Sequence, residues 1–196
     1  MIGDRIGQRS RAGVGTVNCC FLTGVVATLL LTLPGCGALQ QPDYPDLQVV
    51  DYVDLDRYLG KWYEIARYPN DFEQNCVGVT ADYSLRNDGQ IRVVNTCRNP
   101  DGGTKKRIEG TARVDDRSSN AKLKVSFFWP FSGAYWIIDL DPDYRYAVVG
   151  EPGRKFFWIL SRTPTMDDET LDGILQKMPG WLYDQDRLYY VPQFGE

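Results

Sequence analysis

The 196-residue chain is 43% hydrophobic and 13% aromatic, enough for one core-forming domain and too short for two. Its net charge of −4 gives no basic footprint for nucleic acid. It contains no histidine, which removes His-based acid–base catalysis, Ser-His-Asp and Cys-His nucleophile systems and every His-ligated metal site, and leaves a carboxylate- or cysteine-based enzyme possible; neither metal nor cofactor is expected.

Residues 1–35 read as a targeting segment. Arg5, Arg9 and Arg11 precede an apolar run, "FLTGVVATLLLTLP", that is shorter than the ~20 residues of a spanning helix. The run ends at "LPGC", which resembles the bacterial lipoprotein cleavage motif and implies cleavage before Cys36 with acyl chains on that cysteine. An ordinary secretory signal with a chance cysteine is the alternative. Cleavage leaves 19 basic against 25 acidic residues, a net charge of −6. Cys19 and Cys20 leave with the signal, so only Cys76 and Cys97 remain as thiols, and in an exported chain two such thiols are more often paired than free. Residues 36–54 carry two prolines and several acids without periodicity. They read as a tether of up to ~60 Å, followed by one folded domain over 55–196.

Short strands then follow at about 62–68, 77–85, 91–98, 106–114, 122–128, 134–140, 145–150 and 156–162. Turn signals such as Asp88-Gly89, "NPDGGTK" and "EPGRK" separate them. Connections this short cannot host parallel crossovers, so neighbours run antiparallel. In the fourth strand Ile108, Gly110, Ala112 and Val114 alternate with Arg107, Glu109, Thr111 and Arg113, one face apolar and the other wet. The sixth and seventh strands are apolar on both faces and their inward parity is not readable. A helix follows, with Thr165 and Asp168 as a capping box and a stripe of Leu171, Ile174, Leu175 and Met178 that packs on the outside of the sheet. Pro179-Gly180 stops it, and "RLYYVPQ" supplies a short last strand.

Eight up-and-down strands with one trailing helix form a sheet that closes on itself and abolishes its edges. The expected fold is all-β, an eight-stranded antiparallel up-and-down barrel with one C-terminal helix. On these residues the chain resembles the lipocalin family, and within it the bacterial outer-membrane lipoproteins. The resemblance rests on Gly60-Lys61-Trp62 opening the first strand, "DPDYR" (Asp141 to Arg145) between the sixth and seventh, and Arg162 ending the eighth. It spans about 55–192.

The geometry can be followed without the family. The eighth strand, seven reversals after the first, returns to the same end, so closure brings Arg162 over Trp62 as a cation–π plug, with Gly60 turning beneath the ring. The family pattern implies the same stacking. Alternate connections lie at the opposite, open end. Cys76 and Cys97 both fall there on neighbouring strands and are expected to be bridged, although Cys76 has outward parity unless it belongs to the preceding loop. Inward parity assigns a ligand-lining set of Val79, Tyr83, Val93, Asn95, Ile108, Ala112, Val125, Phe127, Phe156 and Trp158. The small residues Ala66, Ala81, Gly110 and Ala112 favour an open cavity over a filled barrel. Glu64 shares parity with Trp62 and, once buried, needs a partner or a proton.

Phe128, Trp129 and Phe131 cluster at the fifth connection, on the open rim, where a turn is normally polar. Such a patch marks a contact: a lid over ligand, a surface dipping into a membrane, or self-association as a homodimer. The tether, expected to leave near the closed end, is long enough to turn the mouth toward a bilayer. The resemblance and the apolar interior together imply a non-catalytic carrier, anchored through Cys36 at the periplasmic side of the outer membrane. It would hold a small hydrophobic ligand, a fatty acid or lysophospholipid. The rival is an enzyme of the same fold, which needs a reactive thiol (Cys97) or an acid–base pair inside the barrel. A tetrapyrrole binder is disfavoured because no histidine can ligate iron.

Overall fold

The computed structural model describes residues 44–194. The targeting segment, Cys36 and the first part of the expected tether lie outside the described residues. A one-turn helix, α1 (Leu55–Tyr58), precedes eight strands: β1 (Gly60–Arg67), β2 (Val77–Leu85), β3 (Ile91–Arg98), β4 (Thr104–Asp116), β5 (Lys122–Phe128), β6 (Phe131–Leu140), β7 (Tyr146–Gly150) and β8 (Phe157–Ser161). Helix α2 (Asp168–Lys177), two 3-10 turns and the two-residue β9 (Tyr189–Tyr190) follow. Each strand pairs antiparallel with its neighbours from β2 through β8, and β1 joins both β8 and β2, which closes the barrel.

Register explains why some strands alternate cleanly and others do not. Trp62 lies opposite Ala81, Ala81 opposite Asn95, and Asn95 opposite Ile108, so inward residues of β1 to β4 form a row across the wall. The outer face of β2 to β4 meets water. On the other half, α2 covers the sheet. Ile138, Val148, Phe157 and Ile159 face outward into a second core with Ile174, Met178 and Tyr183, while Ile137, Val149 and Leu160 face inward. Both faces of β6 and β7 are therefore dry, which is why their sequence shows no alternation. The fit is close: a Cβ on Gly150 would stand 2.6 Å from the Tyr183 hydroxyl.

Three expectations about local structure are corrected. The cap of α2 is Asp167, whose carboxylate accepts from the Thr170 backbone N–H at 2.8 Å, and not a Thr165–Asp168 box. A bulge between Glu64 and Ala66 shifts the β1 register. Ala66 then packs outward in the second core, while Glu64 and Arg67, normally on opposite faces at this spacing, both face in. Gly110 is covered by the Phe127 ring, 2.6 Å from where a Cβ would be, so its smallness admits a side chain and not a ligand.

The expected free tether through residue 54 is corrected as well. Arg154, in the β7–β8 connection at the mouth, stacks over Tyr44 and donates to Pro45 O at 2.8 Å. From there the segment runs down the outside. Leu47 is buried under α2, Val50 N donates to Ile137 O, and Val53 N donates to Ser119 O at the closed end. Apolar residues every few positions (Leu47, Val49, Val50, Val53) hold it to the wall, so the described chain begins at the mouth and not at the closed end.

The gap where β1 and β2 diverge is filled by the C-terminal segment. Val191 N donates to Ile65 O and Gly78 N donates to Pro192 O. The Gln193 side chain donates to Glu64 O and Val79 O. Gly78 has a left-handed φ of 54°, and the Phe194 ring occupies the place a Cβ would take.

Candidate functional site

The closed end is built first. Asp54 caps α1 by accepting from Asp56 N and Arg57 N, and Asp54 N donates to the Tyr144 hydroxyl. Trp62 is fully buried and donates from its indole to Tyr58 O at 2.9 Å. The Arg162 guanidinium lies 3.7 Å from the Trp62 ring centroid. It donates to Lys61 O, Arg57 O and Tyr144 O. Burial lowers its pKa, but an arginine stays charged throughout. Gly60 has φ +92°, and a Cβ there would sit 3.5 Å from Arg162. In "DPDYR", Asp141 accepts a bidentate pair from Arg145 at 2.6 and 3.0 Å, which fixes the turn that presents Tyr144. Trp62 and Arg162 thus meet in the plug. α1, which carries Tyr58 under the indole, was not foreseen, because one turn of helix leaves no periodic signal.

Above the plug the barrel is hollow. The main cavity has a volume of about 240 Å³ and an adjoining lobe about 210 Å³. Together they fall within the roughly 300–1,000 Å³ of ordinary small-ligand sites. Val79, Tyr83, Val93, Asn95, Val125, Phe127, Phe156 and Trp158 line the main cavity and Ile108 the lobe. Ala112 does not reach it. That residue is buried in the packed core lower in the barrel, so its place in the expected lining set is corrected. The floor is a chain of phenols: the Tyr135 hydroxyl lies 2.8 Å from that of Tyr58 and 3.0 Å from that of Tyr83. Burial raises all three pKa values, so the hydroxyls stay protonated. Tyr135 was missed because the parity of β6 is unreadable.

The wall also carries a buried ion cluster. Arg67 donates to Glu64 Oε1 at 2.9 Å and to Glu73 O at 2.6 Å, and its Nε lies 3.4 Å from Glu73 Oε2. Asn70 holds the Glu73 carboxylate at 2.6 Å and accepts from the Glu73 backbone N–H. The outer side of the guanidinium stacks on Tyr189. Burial above all, and then the charge of Glu73, push the Glu64 carboxyl well above the ordinary glutamate range, against the pull of Arg67. Glu64 thus holds its proton more readily than an ordinary glutamate even though it has a partner, Arg67. Alternation could not find it, because the bulge that turns Arg67 inward leaves no mark in the sequence. Glu73 was missed because it sits in a loop that folds back into the barrel.

At the mouth, Cys76 and Cys97 are joined by a disulfide with Cα atoms 5.3 Å apart. Cys76 precedes β2, which resolves its parity. Phe128, Trp129 and Phe131 at the β5–β6 tip are 68%, 91% and 77% exposed, far beyond what large apolar side chains usually show.

A plugged, closed barrel with an apolar hollow and an open mouth defines a small-ligand-binding calyx. The family profile for a lipocalin-like domain matches residues 53–193, and this chain belongs to the lipocalin family. It is 43% identical over 169 residues to the outer membrane lipoprotein Blc of Escherichia coli K12, covering 86% of this chain and 94% of that one. It is 40% identical over 157 residues to temperature-induced lipocalin-1 of Arabidopsis thaliana, covering 76% and 83%. Among solved structures, insecticyanin from the tobacco hornworm Manduca sexta matches with a TM-score of 0.63 at 23% identity, over 79% of this chain and 88% of that one, a likeness of fold. Among the described residues no helix is long and apolar enough to cross a membrane.

Proposed function

We propose that this chain is a lipid-anchored, non-catalytic carrier that stores or moves fatty acids or lysophospholipids at the bacterial outer membrane. The observation that carries the reading is the apolar hollow opening onto a rim of exposed aromatics. The acyl chain of a single-chain lipid fits the walls formed by Val79, Val93, Val125 and Phe127, and its polar end meets the few polar groups above the floor. Cys97, the thiol an enzymatic reading would use, is committed to a disulfide.

The rim is the membrane-facing surface in this reading, on the periplasmic side. Exposed bases on the mouth connections and strand ends (Arg98, Lys105, Lys106, Arg107 and Lys155) stand beside the acids Asp46, Asp71, Asp101 and Glu151, a slight basic excess although the chain as a whole is acidic. That charge suits an anionic lipid surface. Tyr44 lies at the mouth, and the chain from an acylated Cys36 to Tyr44 reaches less than ~30 Å. A short leash from the mouth end keeps the rim near the bilayer, where a tether leaving the closed end would need to span the barrel. The second use of such a patch, a homodimer contact, predicts concentration-dependent association.

The test is uptake. With Trp129→Ser and Phe131→Ser together, transfer of a fluorescent lysophospholipid from anionic vesicles slows several-fold, while equilibrium affinity for the same lipid presented below its micelle concentration stays within about twofold. Equal transfer rates with a loss of dimer in sedimentation would assign the rim to self-association instead.

A further inference from the structure

The floor of the hollow holds one more proton than its hydrogen bonds can use. Tyr83 on β2 and Tyr135 on β6 reach in from opposite walls, and α1 brings Tyr58 to them from the plug. Their hydroxyls make two contacts, Tyr58 to Tyr135 at 2.8 Å and Tyr83 to Tyr135 at 3.0 Å. Burial raises all three pKa values, so three hydroxyls bring three protons to two contacts. Whichever way they rotate, one O–H is left without an acceptor in the triad. These hydroxyls make no other hydrogen bond among the described residues. The phenols of the second core differ: Tyr68 donates to Asp184 O at 2.8 Å and Tyr183 to Glu151 O at 3.0 Å. Tyr83 and Tyr135 line the hollow and Tyr58 does not. In two of the three fully bonded arrangements, the unspent proton therefore sits on a lining residue, within a wall that includes Ala81, Val93, Val125 and Leu160. A methyl end pressed on that floor leaves the O–H unmet, which costs binding. A hydroxyl there accepts the phenol proton and gives its own to a phenol lone pair.

We propose that Tyr58, Tyr83 and Tyr135 form a tail-end subsite that recognises an oxygen at the far end of the ligand's chain, so that the ligands include fatty acids hydroxylated at or near the terminal carbon. This rests on the reading of the hollow as a lipid site and deepens it. The charged head stays toward the mouth in either case, where it keeps its water, and plain chains still enter. The tail hydroxyl, which an all-apolar pocket would reject, is taken up by the floor. Either end of the triad can supply the proton, because reversing the O–H bonds moves the unspent donor between Tyr58 and Tyr83 without moving a ring.

The experiment compares dodecanoate with ω-hydroxydodecanoate, and hexadecanoate with ω-hydroxyhexadecanoate, by calorimetry below their micelle concentrations. Over a purely apolar floor the added hydroxyl weakens binding by about tenfold or more, since it gives up water for nothing. With the wild-type chain, in the pair whose length reaches the floor, the hydroxylated acid is expected to bind within about threefold of its parent or more tightly. Tyr83→Phe together with Tyr135→Phe keeps both rings and removes both lining hydroxyls. In that variant the same hydroxylated acid loses about tenfold or more relative to its parent, whose own affinity stays within about threefold. Weakening by the hydroxyl beyond about threefold in both wild-type pairs overturns the subsite, as does a hydroxyl effect that is the same in variant and wild type. Should the plain acids fail to bind as well, the lipid-site reading itself falls. The wild-type comparison stands even where the variant does not fold.

Discussion

Removing the plug is the sharpest probe of how the barrel is held shut. In Arg162→Met the guanidinium over Trp62 is lost together with its three bonds to Arg57 O, Lys61 O and Tyr144 O. A cation–π contact contributes about 0.5–2 kcal/mol. A hydrogen bond to a charged group contributes about 1.5–3 kcal/mol. These do not add, because the group is only half-buried and water replaces part of the carbonyl bonding. The expected loss is therefore about 2–4 kcal/mol. For a domain of this size that lowers the melting temperature by about 5–15 °C. Arg162→Lys keeps the charge but cannot reach three carbonyls from one planar fork, so it should recover less than half of the loss. The assay is thermal unfolding followed by circular dichroism, with dodecanol binding as a check that the distant hollow is intact. A melting temperature within about 2 °C of wild type for Arg162→Met would refute the claim that this residue closes the barrel.

The Cys76–Cys97 bridge encloses a separation of 21 residues, and replacing both cysteines with serine should cost about 3 kcal/mol on the chain-entropy model. Urea unfolding measures it, and a midpoint unchanged from wild type would show that the mouth is held without the bridge. Glu64 gives a pH dependence of defined sign. Its pKa is higher folded than unfolded, so the stabilisation that comes with its proton is complete below the ordinary glutamate value and is lost as pH rises through the folded value. Glu64→Gln removes that titration, so wild type should lose urea resistance relative to the variant as pH climbs from about 4 to 8. Curves that stay parallel across that range would mean that folding does not raise the Glu64 pKa.

Clean alternation was enough to place β2 to β5 and their inward residues, because one face of each strand meets water and the other does not. The count of reversals likewise assigned Trp62 and Arg162 to one end and both cysteines to the other. Ion chemistry was not legible. Glu64 and Arg67 sit three apart, a spacing that alternation assigns to opposite faces, and only the bulge that lets β1 serve β8, β2 and β9 brings them together. Tyr135 and Ala112 show the same boundary. Parity is lost where α2 dries the outer face, and whether an inward side chain reaches the hollow depends on the height at which tilted strands cross. Residues 36–54 read as a tether from their prolines and acids, yet Leu47 and Val53 find buried places that exist only once the wall and α2 have formed. Period and composition are local and so were decided by the chain alone. Depth, closure and the company a buried charge keeps depend on partners far off in sequence, and only the tertiary structure could supply them.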